Sequence, residues 1–245
     1  MSEELRVETL LASTLSAKYV RYFLPEVGVG ALLDLLAVYA ALARIVVIKD
    51  YLAFLLPALP LLSSLIHGLN RGRSSWWWIN EGDVLYIRSL PVRHRAFLLL
   101  YLAWQLLLGF LPLSLLYYAA MVLIAAPPFR LYFVFISSTA LFALMFSVGA
   151  TIAAVVKDWF KISAFSELVQ WGVTALTPTL YDLRFLTSIS PTLGAVVASN
   201  PLTWLIQLAR AAMGPGDLLG ALALLLGSLG AAYVLCGLAS DHWTE

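Results

Sequence analysis

Charge is what this sequence has least of. Of its 245 residues only 12% are Asp, Glu, Lys or Arg, while 62% are hydrophobic and the mean hydropathy is +0.90. That balance excludes an ordinary soluble domain and points to a chain that crosses a membrane several times. Cysteine is almost absent. Cys236 stands alone in an apolar run, so no disulfide within the chain is possible. Histidine is nearly as scarce: His67, His94 and His242 are far apart, and no metalloprotease, paired-cysteine or nucleophile-elbow pattern accompanies them. No catalytic residue and no metal site is expected. None of the four lysines follows a glycine, so the phosphate-binding loop of an ATPase is missing as well. The net charge of +1 is uninformative, because orientation in a membrane depends on where the cations fall.

What remains is a series of long apolar runs separated by short polar connections. Residues 3–22 place Leu5, Leu10, Leu11, Leu15 and Tyr19 among Arg6, Glu8, Lys18 and Arg21, the pattern of a helix lying in the interface plane over 1–26. A signal peptide would need an apolar core that Ser13 and Thr14 do not interrupt. A first span is expected over 27–48, with Asp34 inside it, and a second over 51–69, bent near Pro57 and Pro60. The Trp76-Trp77-Trp78 cluster reads as an interfacial belt. A third span covers 97–124 and contains Pro112; a fourth ends near Val156 and a fifth runs over 162–180. The stretch 181–217 is less apolar, and Pro191, Asn200 and Pro201 cut it into pieces too short to cross. Two half-helices dipping into the outer leaflet are expected there, tolerable where protein or a cavity covers them. The last span is expected over 218–239, with Gly216, Gly220, Gly227 and Gly230 marking close helix packing.

The fold class is therefore all-α and polytopic, with six transmembrane helices in a single domain. Placing both termini and the loop 70–96 in the cytoplasm collects ten cations there (Arg6, Lys18, Arg21, Arg71, Arg73, Arg88, Arg93, Arg95, Lys157 and Lys161) against five outside (Arg44, Lys49, Arg130, Arg184 and Arg210). The bias sets that orientation in a cell membrane.

Two stretches carry candidate function. In the 70–96 loop, Val84, Ile87 and Leu90 recur at helical spacing among Asp83, Arg88 and Ser89 until Pro91 stops the helix. A short amphipathic helix tied between two spans is suited to receive force from a soluble partner. In the fifth span, Glu167, Gln170, Trp171, Thr174, Thr177 and Tyr181 share one face. Polar groups facing lipid are costly, so that face is expected to meet a water-filled path or another protein, and Asp34 falls under the same argument.

Glu81-Gly82, then Pro91-Val92 nine residues after the glycine, then Arg93 and Phe97, resemble the coupling segment of type-2 ABC exporter permeases. Asn200-Pro201-Leu202-Thr203 followed by Arg210 is similar to that family's second box. Departures occur at Asp83, Leu85 and Leu100-Tyr101, where the family usually carries threonine, an acid and a Gly-Lys pair. The resemblance implies a permease subunit moving an unidentified substrate out of the cytoplasm. It implies a second permease chain, and a separate ATPase subunit that binds ATP and magnesium, with no cofactor in this chain. Glu81, Gly82, Val84, Ile87, Arg88, Leu90, Pro91 and Arg93 would engage the ATPase. Asp34, Glu167, Gln170, Trp171, Thr174 and Tyr181 would line the path, and Asn200, Pro201 and Arg210 would form an outer gate. Membrane lipid is the other partner, and no nucleic acid is expected. A non-transporting scaffold or assembly factor that docks a cytoplasmic partner through the same helix is the alternative.

Overall fold

A computed structural model describes residues 6, 9–10, 12–14, 54–76, 93–123, 128–156, 158–178, 181–210 and 215–244. Among these residues every regular element is helical. Helix α1 covers Ala58–Arg73 and α2 covers His94–Trp104. A π-helical turn, Gln105–Phe110, joins α2 to α3, Leu111–Leu123. Then come α4, Pro128–Val156, and α5, Trp159–Ala175. Three short helices follow: α6, Leu183–Ile189; α7, Pro191–Ala198; and α8, Pro201–Arg210. Helix α9 covers Pro215–Thr244.

The breaks have local causes. Pro112 has no N–H to offer the Leu108 carbonyl, and its ring crowds that carbonyl in an α-helix. The preceding turn widens instead, with the Leu111 N–H reaching the Leu106 carbonyl. The axis then bends by 45° between His94–Phe110 and Ser114–Val122. Asp158 begins α5 by accepting the N–H groups of Phe160 and Lys161 at 2.9 and 3.3 Å. Asp182 caps α6 through the Arg184 N–H at 2.9 Å, and Ser190 caps α7 ahead of Pro191.

Cross-helix contacts give each direction. Gly68 lies on Phe142 and Met145, and Gly72 on Phe146 and Ala150, so α1 and α4 run the same way. Ala221 shares a core with Phe133 and Val134, while Cys236 meets Ser147 at 3.9 Å, so α9 runs parallel to both. Tyr101 touches Phe146, Phe110 touches Phe142, and the Tyr118 hydroxyl lies 2.9 Å from that of Ser138. The α2–α3 pass is thus antiparallel to α4. Helix α5 starts beside Trp76 and Arg73 and its exit meets residues held near Phe54, so it too runs opposite to α1. Among the described residues, five helical passes alternate between two ends. The basal end gathers Arg73, Arg93, Arg95, Lys161 and His242, and the distal end gathers Phe54, Pro178, Asn200 and Arg210.

Among the described residues two helices, Arg130–Val156 and Leu219–His242, are long and apolar enough to cross a membrane, and the bent α2–α3 pair makes a third if it is one span. The expected span over 27–48 lies outside the described residues. Helix α1 begins at Ala58, with Pro57 as its cap, and runs on through Arg71 to Arg73. Helix α5 ends at Ala175, short of Leu180. Three helices occupy 183–210 where two were expected, because Ser190-Pro191 and Asn200-Pro201 each start a new one. At the N-terminus, Ala12 packs with Phe97 and Leu98 at the basal end, while Leu10 is exposed.

The glycine reading needs correcting. Nothing lies within 4 Å of a side chain placed at Gly220, Gly227 or Gly230. Close packing belongs to Gly68, Gly72 and Gly149, where α1 and α4 bring backbone against backbone. Helix α9 is peripheral: 22% of its apolar window is buried, against 56% for α4. Gly220, Gly227 and Gly230 therefore lie on a face the bundle leaves open, while Gly237 further along meets Arg95.

Candidate functional site: the α5 face and its two anchorages

Helix α5 meets the bundle along one narrow stripe. Ile162, Ser166 and Thr177 are buried, and Val169 and Val173 are half-buried beside them. The expected polar stripe runs along the margin of this contact and does not form one uniform face. Thr177 is inside the bundle, Gln170, Thr174 and Tyr181 are half-buried, and Glu167 and Trp171 are exposed. Within α5 the offsets from a perfect turn spread Glu167, Gln170, Trp171 and Thr174 over about a quarter of the circumference, and Thr177 and Tyr181 lie past the helix end.

At the basal end α5 is tied to α1. Arg73 donates from Nη1 to Ser163 Oγ at 3.4 Å, and Ser163 Oγ donates to Glu167 Oε1 at 3.5 Å. The same guanidinium lies 5.7 Å from the Trp159 ring, which meets Trp76 at 5.6 Å. Glu167 is within Coulombic reach of Arg73. Lys161, six residues before Glu167, pairs with Asp158 at 3.6 Å. That ion pair is exposed and contributes little to stability. The serine four residues before Glu167 is a signal a helical pattern could have supplied; the arrival of Arg73 is not.

At the distal end the exit of α5 is clamped by both ends of α8. Asn200 Nδ2 donates to Thr177 Oγ1 at 3.1 Å and to the Leu176 carbonyl at 3.3 Å. Its Oδ1 accepts the Leu202 N–H at 3.0 Å, so one side chain starts α8 and holds α5. Pro201 sits at the first helical position, where its missing N–H costs nothing. Arg210 closes the far end: Nη1 donates to the Pro178 carbonyl at 2.6 Å and Nε to the Phe54 carbonyl at 2.9 Å. Its guanidinium stacks 3.5 Å from the Phe54 ring centroid. Arg130 adds a 3.4 Å hydrogen bond to the Arg210 carbonyl. Leu202 and Thr203, between the two anchors, are buried. The second sequence box is thus a fastening of α8 to the α5 exit.

A third anchorage joins α2 to α9. Arg95 donates to the Tyr233 carbonyl at 2.9 Å and lies 3.5 Å over that tyrosine's ring, in a notch that Gly237 leaves for it. Sequence reasoning placed Arg95 among the cations of the loop and missed this contact; nothing local marks the glycine 142 positions later.

Asp34, Glu81, Gly82, Val84, Ile87, Arg88, Leu90 and Pro91 lie outside the described residues, as do Trp77 and Trp78. Arg93 is exposed at the start of α2, its carbonyl accepting the Phe97 N–H at 2.9 Å. Among the described residues no group of three or more His, Cys, Asp or Glu side chains is placed to hold a metal ion. Set against family models, characterised proteins and solved structures, the chain matches none.

Proposed function

We propose that this chain is the membrane-spanning permease subunit of an ATP-driven exporter, powered by a separate ATPase and paired with a second permease chain. The observation that carries the reading is where the two ends of the loop expected to hold the coupling helix lie. The described flanks, Arg73–Trp76 and Arg93–Arg95, both lie at the basal end, joined to α5 through Ser163 and to α9 through Tyr233. Force on the segment would reach the bundle at both places. The alternating passes support six spans with the basal end in the cytoplasm, since that end also collects the cations. Helices α6 to α8 would sit in the outer leaflet, and Asn200, Pro201 and Arg210 would hold the outer gate.

The test is co-purification with an ATPase encoded beside this chain, followed by ATP turnover in proteoliposomes. Parent protein should raise turnover and export cargo. Ile87→Asp, on the apolar side of the coupling segment, should insert normally yet uncouple hydrolysis from transport. Unimpaired transport by Ile87→Asp would refute the coupling role. Stable association without any export would favour a docking scaffold.

A further inference from the structure

Viewed down its axis, α5 divides into three arcs. The buried stripe is followed by a half-buried polar edge, Ser163, Gln170 and Thr174. Glu167 and Trp171 come next and are exposed, with Leu168 beside Glu167 and Phe160 two turns below it, both exposed. Glu167 and Trp171 are four residues apart, so carboxylate and indole stand one turn apart on the same side. The indole is 69% exposed, Phe160 84% and Leu168 71%. A carboxylate facing hydrocarbon is costly, so this is a poor face for lipid alone.

The neighbouring charges are largely spoken for. Lys161, about 120° around the helix from Glu167, pairs with Asp158. Arg73 attracts Glu167 by charge and is linked to it by hydrogen bonds through Ser163, of 3.4 and 3.5 Å, at the long limit for such contacts. Long bonds of this kind exchange readily for a better partner.

We infer that Glu167 and Trp171 form a site for a lipophilic organic cation, a quaternary ammonium or phosphonium bearing apolar substituents. The carboxylate supplies the opposite charge, the indole face a cation–π contact, and Leu168 an apolar bed. Ser163 and Arg73 hold the carboxylate while the site is empty. An entering cation takes the carboxylate from Ser163 and loosens Arg73, three residues before Trp76 and the coupling segment. As a cargo site this rests on the exporter reading; as a binding site it does not.

The test uses the full chain in nanodiscs of neutral lipid, with tetraphenylphosphonium binding followed by equilibrium dialysis against empty nanodiscs. Tetraphenylborate, equal in shape and opposite in charge, serves as the control. The chain should bind the cation saturably and not the anion. Glu167→Gln should weaken binding about tenfold or more, since a point charge is lost. Trp171→Leu should weaken it about fivefold, the worth of one exposed cation–π contact. Glu167→Asp should retain part of the affinity, which separates loss of charge from loss of fold. Absence of saturable binding, or parent-like binding by Glu167→Gln, overturns the site. Glu167-dependent binding by a chain that neither recruits nor stimulates an ATPase leaves the site standing and removes the exporter reading.

Discussion

Replacing Gly72 by alanine adds one methyl group where α1 and α4 have no room for it. A Cβ at Gly72 falls on the Phe146 carbonyl oxygen and lies 2.8 Å from its carbon and 2.9 Å from the Ala150 nitrogen. All three are backbone atoms, so no rotamer change relieves the overlap and the two helices must part. Overpacking of a close-packed contact costs about 1–3 kcal/mol, and a backbone-on-backbone clash belongs at the upper end, about 3 kcal/mol. Alanine recovers about 1 kcal/mol of helix propensity, which leaves a net loss of about 2 kcal/mol. The same substitution at Gly227 meets nothing within 4 Å and keeps only the propensity gain. Two chemically identical changes should therefore differ by about 3 kcal/mol. Reversible unfolding in mixed micelles of rising SDS content, followed by tryptophan fluorescence, measures both. If Gly72→Ala proves as stable as Gly227→Ala, the packing of α1 on α4 is wrong.

Arg210→Ala should lose about 3 kcal/mol in the same assay, because two charged hydrogen bonds and the stacking on Phe54 go together. Arg210→Lys should recover less than half, since an ammonium lacks the planar fork that reaches the two carbonyls from separate nitrogens and cannot stack flat, and full recovery would contradict the clamp. Gly237→Ala places a Cβ 3.1 Å from Arg95 Cζ, an overlap costing about 1 kcal/mol that offsets the helix-propensity gain and leaves the change near neutral. In an Arg95→Ala background that cost should vanish, and strict additivity of the two changes would rule out the notch. With Cys236→Ala as background, Ser188→Cys and Asp241→Cys should react with an impermeant maleimide from opposite sides of sealed vesicles. Labelling of both from one side would break the alternation of passes.

What was legible from the residues alone rests on short-range physics. Proline without an N–H, asparagine or aspartate capping a first turn, and apolar runs too long for a soluble helix act within a few residues. They set the helices, the breaks at Ser190-Pro191 and Asn200-Pro201, and the concentration of cations toward one end. The π-helical turn was only half legible: Pro112 announces a disturbance, yet the widening falls on the turn before it.

Packing decided the rest. Gly72 and Gly227 are equally small, and only the neighbour distinguishes a glycine the bundle needs from one it leaves open. Arg73, Arg95 and Arg210 look alike as loop or helix-end cations. One reaches Ser163 and a tryptophan, one a carbonyl beside Gly237, and one two carbonyls and a phenyl ring. Those partners lie from 32 to 156 positions away in the chain. Helical periodicity carries no information over such separations. It fixes which side of a helix a residue occupies, and the lateral arrangement of the passes alone fixes what that side touches.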